Sequence, residues 1–178
     1  MFYAQKKLGW MFDWQKIKEL LSQKDNIQEI RFYMGKRPND IGMEGFFQKL
    51  KMFGLKVFSK PVKKINTEDG NEEEKANFDV EITRDILFSV LWFKKEWEKI
   101  IFFGGDSDMA PLFWDLKKIF KKNVEVYCAS KLLSWELRLA ATNYYLLEHL
   151  KNKIYRKDWG LTERKKSSIK DISYRRSR

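Results

Sequence analysis

Apolar and polar residues alternate along the chain with two periods, one typical of helices and one typical of strands. Apolar residues recur at helical spacing from Trp14 to about Lys24, and Asp13 is in position to cap that helix. A second amphipathic helix is predicted over 44–53, where Gly54 follows at a position typical of a helix C-terminus. Extended or short apolar runs predict strands at 29–34, 55–59, 99–103 and 124–128.

The remaining segments complete an alternation of strands and helices. Residues 78–93, 112–121 and 135–150 are predicted as helices, and 62–65 as an extended segment beyond the strand that Pro61 stops. Strands that alternate with helices favour a parallel sheet covered on both faces, because each helical connection is a right-handed crossover. We therefore predict an α/β fold, a three-layer sandwich with a mainly parallel central sheet of Rossmann-like type.

Positive charge is concentrated at the C-terminal end of the 178-residue chain, which carries a formal net charge of +11. Eleven Lys and Arg face three acids between Lys151 and Arg178, so this stretch holds +8 of the total. We predict one domain over 1–155 and a basic, disordered arm over 156–178, because the arm has too little apolar surface to offset its ordering entropy. Attraction to a polyanion is one interpretation of the arm, and a solvated end that aids solubility is the other. The acidic segment 68–74 is predicted to be an exposed loop.

Composition excludes several classes of site. One cysteine rules out an intramolecular disulfide, and one histidine rules out most zinc centres. No apolar run reaches the ~18 residues of a membrane span, and the N-terminus has no signal-peptide core. These absences predict a cytoplasmic protein with no membrane partner.

Two aspartates follow the apolar strand predicted at 99–103. After Gly104-Gly105 come Asp106 and Asp108, at the carboxyl end of the strand, where open parallel sheets bind their ligands. Each aspartate could instead serve as an ordinary helix cap. The presence of two aspartates on either side of one serine, directly after two glycines, favours a functional site over two helix caps.

A third carboxylate lies in the predicted helix 78–93. Asp85 belongs to a narrow polar stripe on a helix that is apolar on most sides, so it is expected to have a cation or a metal ion as partner. A stripe facing water is the alternative, and Asp79 just before this helix is equally well explained as its N-cap. A site built from carboxylate oxygens suits Mg²⁺ or Mn²⁺. Such a site beside a basic arm points to phosphodiester hydrolysis.

Three stretches of the chain resemble the NYN domain, in the LabA-like group of the PIN-like nuclease superfamily. They are KANFDV at 75–80 with Asp85 beyond it, IIFFGGDSDMA at 100–110, and KLLSWELRLAATNYY at 131–145. The resemblance implies a PIN-like fold and a metal-dependent ribonuclease that acts on single-stranded or structured RNA. It implies Asp85, Asp106 and Asp108 as catalytic metal ligands, Asp79 as a further ligand, and Mg²⁺ or Mn²⁺ as cofactor. A homodimer is a further expectation.

We expect RNA contacts both beside the carboxylates and in the basic arm. The predicted contact residues are Lys75, Asn77, Ser107, Arg156, Lys157, Arg164, Lys165 and Lys166. Trp92, Trp97 and Trp114 could stack on bases, but an aromatic-rich core explains them better.

The chain departs from the family pattern in two places. The family opens with a central strand that ends in a catalytic Asp, and this chain begins after that point, so the sheet is expected to lack its middle strand. Asn143 stands where the family often has Asp. The missing strand has two explanations, a misplaced start codon or truncation of the sequence, and a real degenerate variant. The second explanation keeps open another hypothesis, a catalytically degenerate RNA-binding or adaptor module. A nucleotide-sugar transferase ranks last, because the domain is small and the basic arm would have no purpose.

Overall fold

A computed structural model of the protein describes residues 2–66, 72–91 and 97–157. The α-helices are α1 (Phe2–Leu8), α2 (Trp14–Lys24), α3 (Ile41–Met52), α4 (Asp79–Leu91), α5 (Ala110–Lys118), α6 (Trp135–Ala140) and α7 (Lys151–Ile154). The strands are β1 (Arg31–Lys36), β2 (Lys56–Pro61), β3 (Lys63–Asn66), β4 (Glu72–Lys75), β5 (Lys99–Phe103), β6 (Asn123–Cys128) and β7 (Asn143–Leu146). The mixed α/β class predicted from the sequence is confirmed. No helix among the described residues is long and apolar enough to span a membrane.

Parallel pairing organises the strands into separate sheets. β1 pairs with β2, while β5, β6 and β7 form a second parallel sheet in that order, and β3 and β4 form an antiparallel hairpin. Among the described strands of the two parallel sheets, β1, β2, β5 and β7 therefore each have one edge without a strand partner. A missing middle strand would leave the β1–β2 sheet separate from the β5–β6–β7 sheet. That a middle strand is missing remains a prediction.

Helices cover both faces of the sheet that β6 centres. Val124 and Val126 are fully buried beneath α5 and α6, in one core with Phe113 and Leu137. Tyr127 points to the opposite face and packs in a second core with residues of α2, as expected from the two-residue alternation of side chains along a strand. This arrangement gives the three layers that the sequence predicted.

The start of α2 joins the two parallel sheets. Trp14 packs against the core of the β1–β2 sheet and also against the core under β6. Its ring lies edge-on to Phe32 of β1, with centroids 4.8 Å apart, and edge-on to Phe12 at 5.9 Å. The predicted cap is present, since the Asp13 carboxylate accepts a hydrogen bond from the Lys16 N–H. Trp14 thus links the hydrophobic cores of the two sheets.

Two local predictions were wrong. Residues 135–150 do not form one helix, because α6 ends at Ala140 and the chain then enters β7, which pairs in parallel with β6. The segment predicted as an acidic loop is in part β4, in which Glu74 lies opposite Lys64 of β3 and Glu72 lies opposite Asn66. Lys64 pairs with Glu72 at 2.9 Å, so the repulsion between the acids is offset across the hairpin.

The loop after β5 approaches its neighbours more closely than any side chain would allow. A Cβ on Gly105 would lie 2.0 Å from the carbonyl oxygen of Leu132 and 2.6 Å from the Cys128 Sγ. The Gly105 carbonyl also accepts a 3.0 Å hydrogen bond from the Ser134 N–H. Burial raises the pKa of the Cys128 thiol to about 11, which makes it an inert packing group. Gly105 therefore fixes the path of the chain into Asp106.

We expect Gly105→Ala to lower the free energy of unfolding by at least about 1–3 kcal/mol, because the added methyl group overlaps backbone atoms of 132. Gly45→Ala is the matched control, since Gly45 is exposed within α3 and a Cβ there meets no atom within 4 Å. The control should gain about 0.5–1 kcal/mol from helix propensity. Urea unfolding of both variants measures the difference, and equal stabilities would contradict the close packing at Gly105.

Candidate metal centre

Three carboxylates from two parts of the chain converge at the carboxyl end of β5. Asp106 and Asp108 lie at the start of the 3-10 turn Ser107–Met109, and Asp79 is the first residue of α4. One ligand oxygen from each of the three lies within 4.8 Å of the others. Asp106 and Asp108 are exposed and Asp79 is half-buried. The group is therefore open to solvent and to a large substrate.

Local hydrogen bonds orient the Asp106 carboxylate and the backbone at Asp79 and Asp108. The Asp106 Oδ1 accepts a 3.2 Å hydrogen bond from the Asp108 N–H. The Asn77 Oδ1 accepts a 2.8 Å hydrogen bond from the Asp79 N–H, and the Phe78 carbonyl accepts the first helical hydrogen bond from the Ile82 N–H, so Asp79 lies inside α4. The alternative interpretation of Asp79 as the N-cap is therefore wrong. Its carboxylate is left available to the group.

The three negative charges lack a neutralising cation from the described part of the chain, where no Lys or Arg forms an ion pair with Asp79, Asp106 or Asp108. Two unit charges about 5 Å apart repel by about 1 kcal/mol in water and about 3 kcal/mol at an effective dielectric constant of ~20. The positive end of the α4 dipole offsets part of this repulsion at Asp79. A divalent cation would remove it, and an all-carboxylate donor set fits Mg²⁺ or Mn²⁺.

Asp85, which the sequence analysis grouped with Asp106 and Asp108, does not join them. Its Oδ2 accepts a 2.8 Å hydrogen bond from the Tyr33 hydroxyl and lies 3.0 Å from the Arg31 Nη1. Its Oδ1 accepts hydrogen bonds from the Arg84 guanidinium at 2.8 and 3.0 Å. The side chain is only 10% exposed. Both oxygens are thus occupied by cations and a hydroxyl.

Helix geometry explains why Asp79 and Asp85 of α4 contact different groups. At 100° per residue, six residues along a helix place two side chains about 120° apart, with an axial separation of about 9 Å. Asp79 lies at the end of α4 that meets the loop after β5, and Asp85 faces β1. The expectation that Asp85 needs a partner is met by arginines rather than by a metal ion.

The surroundings of Asp85 shift two pKa values in opposite directions. Burial disfavours the Asp85 carboxylate, but hydrogen bonds from Arg84 and Tyr33 and the charge of Arg31 outweigh burial and lower the pKa of Asp85. Burial and the hydrogen bond to Asp85 raise the pKa of Tyr33 to about 12. The Asp85 network is therefore a charged anchor between α4 and β1. Sequence periodicity indicated a buried Asp, but it gave no sign that Arg31 and Tyr33 of a distant strand would meet it.

The predicted RNA-contact residues fall in three places. Lys75 ends β4 and is exposed, and Ser107 lies between the two aspartates. Lys157 is exposed at the edge of the described residues, and the Arg156 N–H donates a 2.9 Å hydrogen bond to the Met11 carbonyl. Arg164, Lys165 and Lys166 lie outside the described residues, as do Trp92 and nearly all of the predicted arm. Trp97 and Trp114 pack against the core, as the sequence analysis preferred.

We expect Asp85→Asn to lower the free energy of unfolding by about 1–3 kcal/mol at pH 7, because the variant loses a charge that three donors stabilise. The folded pKa of Asp85 lies below its unfolded value, so this contribution is complete above an unfolded pKa of about 4 and is lost as the pH falls through the folded pKa. Denaturant unfolding at a series of pH values should therefore show the wild type and Asp85→Asn converging in acid. Asp115→Asn, an exposed position on α5, should stay within about 0.5 kcal/mol of the wild type. A gap between wild type and Asp85→Asn that is independent of pH would contradict the charged anchor.

Comparison with known proteins identifies the family. A sequence model of the NYN domain matches residues 1–148. The chain is 29% identical over 157 residues to the low amplitude and bright protein LabA of Synechococcus elongatus, across 85% of this chain and 81% of that protein. Its fold resembles the crystal structure of a protein of unknown function from Vibrio parahaemolyticus, with a TM-score of 0.70 and 22% identity, over 87% and 88% of the two chains. The chain belongs to the NYN domain family.

Proposed function

We propose that the protein is a ribonuclease that hydrolyses phosphodiester bonds of RNA with Mg²⁺ or Mn²⁺ bound by Asp79, Asp106 and Asp108. The observation that carries this proposal is the convergence of the three carboxylates within 4.8 Å at the carboxyl end of β5. Membership of the NYN family supports an RNA-related, PIN-like domain. The proposal assigns Asp85 to the anchor of α4 instead of the metal centre.

The residues around the carboxylates have separate tasks in this proposal. The Asp106 carboxylate is oriented by the hydrogen bond that it accepts from the Asp108 N–H, and Asp79 is positioned by the start of a helix. When bound, the metal ion would activate water and stabilise charge on the phosphoryl oxygens. Lys75 precedes Asp79 by four residues, and Ser107 lies between Asp106 and Asp108. The exposed Lys75 ammonium group and the Ser107 hydroxyl would bind phosphates of the RNA next to the one at the metal ion.

We expect Asp79→Asn, Asp106→Asn and Asp108→Asn each to lower the rate of Mn²⁺-dependent RNA cleavage by at least about 100-fold, since each removes a metal-binding charge worth several kcal/mol. Cleavage of a labelled single-stranded RNA, followed with Mn²⁺ and with EDTA, measures this loss. The circular dichroism of each variant should match that of the wild type, because the three side chains are exposed or half-buried.

Asp115→Asn is the control for loss of a carboxylate outside the group. Asp85→Asn tests whether Asp79 or Asp85 is the third metal ligand beside Asp106 and Asp108. Under our proposal, cleavage per folded molecule falls more for Asp79→Asn than for Asp85→Asn. The reverse order, or cleavage that survives Asp106→Asn and Asp108→Asn together, would overturn the proposed site.

A second function is favoured by the state of Asp85. Because Arg31 and Arg84 occupy this carboxylate, the described residues bring three acids to the site and no fourth. A module with the same fold could therefore bind RNA without cleaving it. Such a module would bind RNA equally well with Mn²⁺ and with EDTA, whereas the ribonuclease would degrade the RNA only with metal.

The basic arm should contribute to RNA binding under either function. Residues 157–178 contain eight Lys and Arg against three acids. We expect their deletion to make the slope of log K against log salt less steep, by about 0.7 for each phosphate contact that is lost. Fluorescence anisotropy with a labelled RNA at several salt concentrations measures the slope.

The variant Arg164→Gln with Lys165→Gln and Lys166→Gln keeps the length of the arm and removes three of these charges. We expect it to lie between the wild type and the deletion. If the slope of the deletion variant equals that of the wild type, the arm has no part in binding RNA.

A further inference from the structure

We propose that Trp135 is a stacking platform for an unpaired base of an RNA that binds at the proposed metal centre. The inference rests on the proposed interaction with RNA and adds a specific contact to it. Trp135 is the first residue of α6 and is 68% exposed. Among the tryptophans in 2–66, 72–91 and 97–157, it alone is exposed, because the others are buried or half-buried. Core packing therefore does not account for it.

The backbone holds Trp135 beside the carboxylate group. Ser134 donates its N–H to the Gly105 carbonyl at 3.0 Å, and Gly105 directly precedes Asp106. Adding this hydrogen bond to standard backbone dimensions gives at most about 14 Å between the Cα atoms of Trp135 and Asp106. A single strand covers such a distance with a few nucleotides. An RNA lying on the carboxylates can therefore place one of its bases on the indole ring.

The backbone that carries the indole ring is held in place by its neighbours. Ser134 caps α6 by accepting a hydrogen bond from the Leu137 N–H at 3.2 Å, and Leu137 is fully buried. The start of α6 is thus fixed on both sides of its first residue. A rigid aromatic surface loses little conformational entropy when a base stacks on it.

The charges near Trp135 favour a nucleic acid over a protein partner. Lys131 and Arg138 are exposed before and after it in the chain, with one acid, Glu136, between them, and the Arg138 guanidinium lies 4.8 Å from the centroid of the Tyr144 ring. Cations beside exposed aromatic rings are the usual composition of single-strand binding surfaces. The apolar neighbour on this helix face is Leu139, which is 56% exposed. One Trp, which buries at most about 250 Å², and one Leu fall well short of the ~800 Å² per partner of a standard protein interface.

The test measures binding of the full-length protein to a short single-stranded RNA in EDTA, where cleavage is blocked. We expect Trp135→Ala to weaken binding by about 5- to 150-fold and Trp135→Phe to recover most of the loss, because stacking needs an aromatic ring. Leu139→Ala is the matched control, one turn along the same exposed face, and should stay within about twofold. Trp135 is exposed, so we expect all three variants to keep the thermal stability of the wild type.

An abasic scan of the RNA locates the base. Removing the base at one position should weaken binding to the wild type and leave binding to Trp135→Ala unchanged. Equal binding by wild type and Trp135→Ala would overturn the stacking proposal, as would a loss in Leu139→Ala as large as that in Trp135→Ala. In both cases Mn²⁺-dependent cleavage could still support the ribonuclease. Conversely, a stacking effect without any cleavage would sustain Trp135 as part of an RNA-binding module and reject the enzyme.

Discussion

The contact between Gly105 and the segment before α6 is the constraint on which the candidate site depends. With the hydrogen atom of glycine in place of a side chain, the loop after β5 lies directly against the Leu132 carbonyl and the Cys128 thiol. The hydrogen bond from Ser134 to Gly105 then locks two connections that are 29 residues apart in the chain. The first connection carries Asp106 and Asp108, and the second begins α6 with Trp135. One tight backbone contact therefore determines both where the acids lie and which exposed ring stands beside them.

The sequence analysis placed Asp79, Asp85, Asp106 and Asp108 in one predicted metal site, and the structure brings Asp79, Asp106 and Asp108 together without Asp85. Asp106 and Asp108 could be located because a strand-loop-helix transition in a parallel sheet delivers its loop to the ligand-binding edge. Asp79 and Asp85 could not be ranked in the same way, because both lie on one helix and its rotational setting depends on tertiary contacts. Tyr33 and Arg31 fix that setting by binding Asp85. The partners are more than fifty residues away in sequence, and local periodicity carries no information about them.

Fold prediction succeeded where the periodicity was strong and failed where pairing partners decided the structure. The caps at Asp13 and Gly54 are short-range features, and both are present, the latter with φ of +81°. Residues 141–150 were predicted as helix because their composition is compatible with one. They form β7 and a 3-10 turn because β6 presents a free edge there, and parallel pairing satisfies the backbone groups of 143–146. Strand β4 was missed for a related reason, since its pairing with β3 brings Lys64 opposite Glu74 and within 2.9 Å of Glu72, and local sequence carries no sign of that pairing.

The electrostatics of the molecule link the metal centre to the basic charge. A chain of net charge +11 attracts a polyanion, yet three unpaired carboxylates at the sheet edge would repel the phosphate that reaches them. A bound divalent cation would reduce the local charge from −3 to −1 and give the phosphate oxygens a cation to bind, without altering the long-range attraction. The net positive charge would then attract RNA, and the bound ion would retain it at the site. Stacking on Trp135 would depend on neither the net charge nor the ion. Because stacking on an uncharged ring is insensitive to salt and to metal, these contributions can be separated by varying ionic strength and EDTA independently.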